Sequence, residues 1–113
     1  MRYALLVCID ESGELSEEDA ERQYAEFMDF QDEMQARGVL LARERLRPTT
    51  LSTLVRVRDG GLVVADGPFA ETKEQIAGFY IIECEDLDGA IEIASRNPGA
   101  HYGTIEVRPV WEI

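Results

Sequence analysis

Apolar positions along the chain change period from that of a strand to that of a helix and back. Residues 3–9 alternate weakly and are rich in strand formers, so they predict a first strand. After a polar loop, Ser16 fits a helix N-cap, and Gly38 fits the residue that ends the helix. The apolar stripe of this predicted helix, about 20 residues long, consists of Ala20, Tyr24, Phe27, Gln31 and Met34, broadened by Met28.

The second half of the chain continues in the same manner. Residues 39–47 predict a strand, and residues 51–58 and 62–65 flank Asp59-Gly60-Gly61, a hairpin signal. Residues 71–75 predict one helical turn and residues 78–83 a strand. Asp86 caps a predicted second helix that ends at Asn97-Pro98-Gly99, and residues 104–113 alternate as a last strand. The predicted inner face of the second helix carries Leu87, Ala90, Ile91 and Ala94.

The order of elements predicts an α+β fold in one domain covering residues 1–113. Without the hairpin, the order β, α, β, β, α, β is that of the ferredoxin-like split βαβ arrangement. Two helices cover one face of a four-stranded sheet, and the other face would carry apolar residues of the strands. Because an open apolar face is usually buried by a partner, we predict a homodimer that closes two sheets back to back.

Charge and composition limit the classes of function that we expect for this protein. The net charge of −12 argues against a nucleic-acid-binding surface, which needs basic residues. No apolar run spans a bilayer and no leader pattern is seen, so we expect a cytoplasmic protein without a membrane partner. Eleven acids and one base lie between residues 10 and 33, whereas six arginines and one acid lie between residues 37 and 58. This asymmetry fits a solvated acidic helix beside a basic hairpin, an arginine-lined anion site, or an acidic face for a basic protein.

The cysteines and known motifs give little chemistry. Cys8 and Cys84 lie far apart in sequence, and we interpret them as reduced core thiols whose strands run side by side. No metal-ligand spacing, nucleotide-binding motif or nucleophile motif occurs, so the sequence predicts neither a metal nor a cofactor.

The segment Asp66-Gly67-Pro68 carries the strongest chemical signal, because a turn places a carboxylate near the acid–base pair Glu71 and Lys73 and the hydroxyl of Thr72. Asp66 is the candidate general base, with a turn cap as the alternative. Lys73 is a candidate anion ligand and His101 a candidate general acid or base; a solvated surface position is the alternative for both. The candidate substrate-binding residues are Tyr24, Arg43, Arg45 and Thr72, and Arg47 lies on the same strand face as the two other arginines. The alternative for Tyr24 is a place in the core, and the alternative for the arginines is ion pairs with the partner subunit.

These motifs resemble the DGPF branch of the YCII-related proteins. The likeness rests on residues 2–6 at the start, residues 53–60 of the hairpin, residues 66–74 of the loop and residues 102–110 at the end. The resemblance implies a ferredoxin-like fold that dimerises as an α+β barrel. A His–Asp pair proposed as catalytic in the wider group is not carried over, because the first helix has no histidine and Asn97 precedes Pro98.

The resemblance leaves three hypotheses. The first is a cofactor-free enzyme or binder that acts on a small anionic molecule by proton transfer, as a lyase or isomerase. The second is a regulatory protein associated with an extracytoplasmic-function sigma factor, which is often found with relatives of this signature. The third gives the loop at residues 66–74 a purely structural role in fixing the hairpin to the sheet.

Overall fold

The computed structural model describes residues 1–112 and contains six strands and three helices. The last residue of the predicted final strand, Ile113, lies outside this range. In chain order the elements are β1 (Arg2–Ile9), α1 (Glu17–Ala36), β2 (Leu40–Arg45), a 3-10 turn (Thr49–Leu51), β3 (Thr53–Arg58), β4 (Gly61–Asp66), β5 (Gln75–Glu83), α2 (Leu87–Arg96), α3 (Gly99–Tyr102) and β6 (Thr104–Pro109).

Four strands form one antiparallel sheet in the order β2-β5-β1-β6, and β3 pairs with β4 in a separate two-stranded sheet. With the hairpin set aside, the strand order is compatible with the predicted ferredoxin-like fold. Within residues 1–112 no helix is both long and apolar enough to span a bilayer.

All three helices lie on one face of the sheet. Leu5 of β1 and Ile82 of β5 are fully buried against Phe30 and Met34 of α1 and Ile93 of α2. The short α3 packs on the same face, because its Gly99 lies against side chains of β1 and β6. The core is therefore a single layer between helices and sheet.

The predicted helix stripes are only partly right. In α1, Gln31 and Met34 are buried as predicted, but Tyr24 is 56% exposed, so its assignment to the core of the single chain is wrong. In α2, Ala90 and Ala94 are buried as predicted, whereas Leu87 and Ile91 are about half exposed; the buried isoleucine is Ile93.

The predicted helix caps, the helix end at Gly38 and the hairpin turn are confirmed. The Ser16 hydroxyl accepts a hydrogen bond from the Asp19 amide, and the Asp86 carboxylate accepts one from the Gly89 amide. Gly38 ends α1 with a φ of 73°. Asp59 and Gly60 both have positive φ, as a two-residue hairpin turn requires.

The predicted helical turn at residues 71–75 is wrong. Residues 71–74 are an irregular segment with bends at residues 73 and 74, and β5 already begins at Gln75. The Gln75 side-chain amide donates to the carbonyls of Ala70 and Thr72, which holds the segment as an irregular loop. The short α3 was not predicted, since Asn97-Pro98-Gly99 indicates only the end of a helix.

The β3–β4 hairpin projects from the rest of the chain. Among residues 1–112 no helix or other strand packs closely on it, and the radius of gyration is 16.1 Å. A compact chain of this length has a radius of gyration of about 13 Å. The hairpin is thus an arm, defined here as residues 53–66.

Candidate functional site

Three arginines, Arg43, Arg45 and Arg47, lie at the C-terminal end of β2 and just after it. Arg43 is opposite Tyr80 and Arg45 is opposite Gly78 in the β2–β5 register, so both lie on the helix side of the sheet. Arg45 and Arg47, with Leu46 and Pro48, line a cavity of about 290 Å³. Within residues 1–112, none of the three arginines forms an ion pair. This arginine cleft therefore presents unpaired positive charge, although the protein is acidic overall.

The loop that carries Asp66 leaves the base of the arm. Asp66 ends β4 opposite Thr53, is exposed, and its carboxylate accepts no hydrogen bond from residues 1–112. The turn is instead held by backbone, because the Gly67 amide donates to the Ser52 carbonyl at 2.9 Å. The proposed Asx-type cap is thus absent from the described chain, and the Asp66 carboxylate is free to meet a ligand.

Thr72 and Glu74 hold the loop in place. The Thr72 hydroxyl donates to the Glu74 carbonyl at 2.7 Å, and the Glu74 carboxylate accepts from the Thr104 hydroxyl at 2.8 Å. These bonds tie the loop to β6. The described contacts of Thr72 are therefore local ones, while its predicted role in substrate binding stays a prediction.

Lys73 is exposed near the end of β1. The pKa of Asp10 lies below its ordinary value, chiefly because Ser12 donates side-chain and backbone hydrogen bonds to its carboxylate, with a smaller effect of the Lys73 charge. Lys73 therefore has a carboxylate neighbour and belongs to the end of the sheet where β1 finishes and β5 begins.

His101 lies in a different place, on α3. It borders a groove of about 450 Å³ between α1 and α3 whose other lining residues are Glu26, Asp29, Phe30, Glu33, Arg96 and Pro98. Neither this groove nor the arginine cleft is lined by Asp66 or Lys73. The three predicted catalytic residues therefore do not line one common cavity. Tyr24 is exposed on α1 and lines neither cavity.

The groove is acidic but internally paired. Arg96 donates to the Glu33 carboxylate at 2.7 Å and 2.5 Å, which lowers the pKa of Glu33. The Tyr102 hydroxyl donates to Glu26 at 2.6 Å, and this bond raises the pKa of Tyr102. Most of the groove's charge is therefore used in joining α1 to the end of α2 and to α3.

Asn97 is a buried polar residue that sequence reasoning did not single out as a site. It is fully buried, its side-chain carbonyl accepts from the Gly99 amide at 2.8 Å, and its Nδ2 has no hydrogen-bond partner within residues 1–112. Burial raises the pKa of Tyr80, and the nearby Asn97 amide and Arg43 charge offset part of that effect. The Asn-Pro-Gly sequence signals a helix end and gives no sign of this burial.

The cysteines lie at opposite ends of the β1–β5 pair. Cys8 is opposite Ile76, whereas the Cys84 amide donates to the Met1 carbonyl. Both thiols are free, and burial raises the pKa of each. Their strands are adjacent as predicted, but the two side chains do not meet.

Comparison with known proteins gives two matches. A model of the YCII-related domain family matches residues 1–113. An uncharacterised protein of Rhizobium meliloti (strain 1021) is 41% identical over 114 residues, covering 97% of this chain and 92% of the relative.

Proposed function

Because the chain belongs to the YCII-related domain family, we propose that it is a homodimer that binds a small anionic molecule. The observation that carries this proposal is the arginine cleft, where positive charge without an acidic partner lines a cavity. We assign the chain to the DGPF branch on the sequence of residues 66–74, which resembles the signature of that branch.

Dimerisation is supported by the face of the sheet that the helices leave open. Leu6 pairs with Phe79, and Ala4 pairs with Ile81, on strands whose alternate residues are buried under the helices. These side chains are only partly exposed, but no helix covers them. A second copy that closes sheet against sheet removes this apolar surface from water.

Anion binding is supported by the chemistry of the cleft. Guanidinium groups bind carboxylates through paired hydrogen bonds, and Leu46 and Pro48 supply apolar walls for the body of a small acid. The volume of about 290 Å³ lies at the lower end of the range for small-molecule sites, about 300 Å³. A small cyclic, aromatic or keto acid fits these requirements.

A cofactor-free reaction on this ligand is the catalytic part of the proposal. Asp66 is the candidate base, supported by its exposed and unbonded carboxylate at the base of the arm. Lys73 and His101 are candidate proton-transfer or anion-binding groups. Asp66→Asn and Lys73→Ala should abolish turnover of any substrate found, and unchanged turnover in both variants would remove them from the mechanism.

A thermal-shift screen against small carboxylic acids tests ligand binding. A ligand at 100 times its dissociation constant stabilises the native state by about 2.7 kcal/mol. The shift should vanish in the double variant Arg45→Ala, Arg47→Ala. It should persist in Arg58→Ala, which removes an exposed arginine at the tip of the arm without touching the cleft. A shift that survives in the double variant would place the ligand elsewhere.

A second candidate function is a complex with a sigma factor of the extracytoplasmic-function class, favoured by the exposed acids at the start of α1, Glu17, Glu18 and Glu21. Contacts between exposed charges are screened by salt, so such binding should weaken steeply between low and moderate salt. Binding that is indifferent to salt would count against this acidic surface.

A further inference from the structure

The two faces of the arm are covered very differently. Arg56 and Leu54 lie on one face, where the Arg56 guanidinium sits 5.4 Å above the ring centre of Phe69, a residue of the loop that follows the arm. The other face carries two apolar cross-strand pairs, Val55 with Val64 and Val57 with Leu62. Their exposed fractions run from 58% to 69%. We call these four residues the bare face.

The bare face needs a cover that its own chain does not supply. A two-stranded hairpin alone is marginally stable in water and needs a packed apolar face to persist. Within residues 1–112 no helix or other strand packs closely on the arm, and the arm extends away from the sheet. Contiguous exposed apolar side chains of this kind mark an interaction surface.

We propose that the bare face of each arm packs on a second copy of this chain, so that the dimer is closed by two exchanged arms as well as by its sheets. This inference rests on the homodimer proposed above and adds to it the part of the chain that holds the two copies together.

The areas involved are sufficient for a stable dimer. A buried valine or leucine removes roughly 60–120 Å² of apolar surface from water. At their present exposure, the bare faces of the two arms and the surfaces that they contact together bury roughly 600–1,200 Å². This sum does not include the sheet faces. Stable interfaces begin at about 1,200 Å², so the arms alone reach that size at the upper end of their range, and the sheet faces add to it.

Paired substitutions on the two faces of the arm test the inference. Val57→Asp places a carboxylate on the bare face, and Val63→Asp places the same group on the opposite face of the same hairpin, beside Arg56. Phe79→Asp disrupts the open sheet face. Sedimentation equilibrium then gives the dimer dissociation constant of each variant and of the wild type.

We expect Val57→Asp to raise the dimer dissociation constant at least about 100-fold, because the symmetric dimer buries the charge twice. Val63→Asp should change this dissociation constant less than about 3-fold. Dissociation by Phe79→Asp but not by Val57→Asp would overturn arm exchange and leave the sheet-to-sheet dimer standing. Equal effects of Val57→Asp and Val63→Asp would overturn the assignment of the bare face. A monomeric wild type would overturn both proposals.

Hydrogen exchange on the unmodified protein gives an independent readout. The amides of β3 and β4 should be protected well above the dimer dissociation constant and exchange quickly well below it, while those of β1 and β5 stay protected at both concentrations. Protection of β3 and β4 that does not depend on protein concentration would overturn the exchange of arms.

Discussion

The two isoleucines of α2 allow a direct test of which face of that helix enters the core. Ile93 is 1% exposed and packs in the core cluster, whereas Ile91, two residues earlier, is 50% exposed. Both are replaced by alanine, so the change in helix propensity is the same in the two variants. Any difference in stability between them therefore reports the difference in burial.

Ile93→Ala removes a fully buried side chain and leaves a cavity, which costs about 2–5 kcal/mol. For 113 residues, an unfolding entropy of about 2.1 cal/mol/K per residue gives roughly 0.24 kcal/mol/K. A loss of about 3 kcal/mol then lowers Tm by roughly 13 °C. Ile91→Ala should cost less than about 1 kcal/mol, because half of its side chain already faces water.

Calorimetry or urea unfolding at one protein concentration measures both variants against the wild type. The concentration is held fixed because the proposed dimerisation would contribute to apparent stability. If Ile91→Ala destabilises the protein as much as Ile93→Ala, the phase of α2 described above is wrong, and the stripe predicted from sequence is the correct one.

Three further substitutions test the close packing at Gly103 and the ion pair of Glu33 with Arg96. Gly103→Ala should destabilise the fold by about 3 kcal/mol or more, since its Cβ would overlap the Cys8 carbonyl oxygen, whereas Gly13→Ala meets nothing and should be nearly neutral in urea unfolding. Arg96 lowers the pKa of Glu33, so this pair adds stability above the ordinary glutamate pKa and loses it as pH falls through the lowered value. Urea midpoints should therefore separate wild type from Glu33→Gln near pH 7 and converge toward pH 3; a gap that widens in acid would contradict this sign.

The strands, turns and caps could be predicted because their signals are local. Ser16 and Asp86 cap their helices through bonds within three residues. Asp59 and Gly60 adopt the positive φ that aspartate tolerates and that glycine, lacking a side chain, adopts readily. The sheet order follows from the sequence of elements, since few topologies accommodate a split βαβ pattern.

The helix phases could not be predicted with the same certainty. In α2 the residues Leu87, Ala90, Ile91 and Ala94 form as good an apolar stripe as the one containing Ile93, so the packing against the sheet decides. In α1, Tyr24 continues the apolar spacing beyond the part of the helix that covers the sheet. The period of an apolar pattern identifies the type of element well, but it identifies less well which residues of that element point inward.

Some residues of the candidate site could likewise be predicted from the sequence, and others could not. The arginines of β2 could be found because alternate residues of a strand share a face. The separation of His101 from Asp66 and Lys73 could not be predicted, because His101 lies on α3, Asp66 ends β4 and Lys73 lies in the loop before β5, and no local rule sets how these elements are arranged. The burial of Asn97 is likewise a tertiary effect.

Calorimetric titration with the carboxylic acids selected by thermal shift tests whether the arginine cleft binds a small anion. We predict saturable binding to wild type and to Arg58→Ala, and a loss of at least about 10-fold in affinity in the Arg45→Ala, Arg47→Ala variant, since each charged hydrogen bond contributes about 1.5–3 kcal/mol. Equal affinity in all three proteins would contradict the assignment of the cleft as the ligand site.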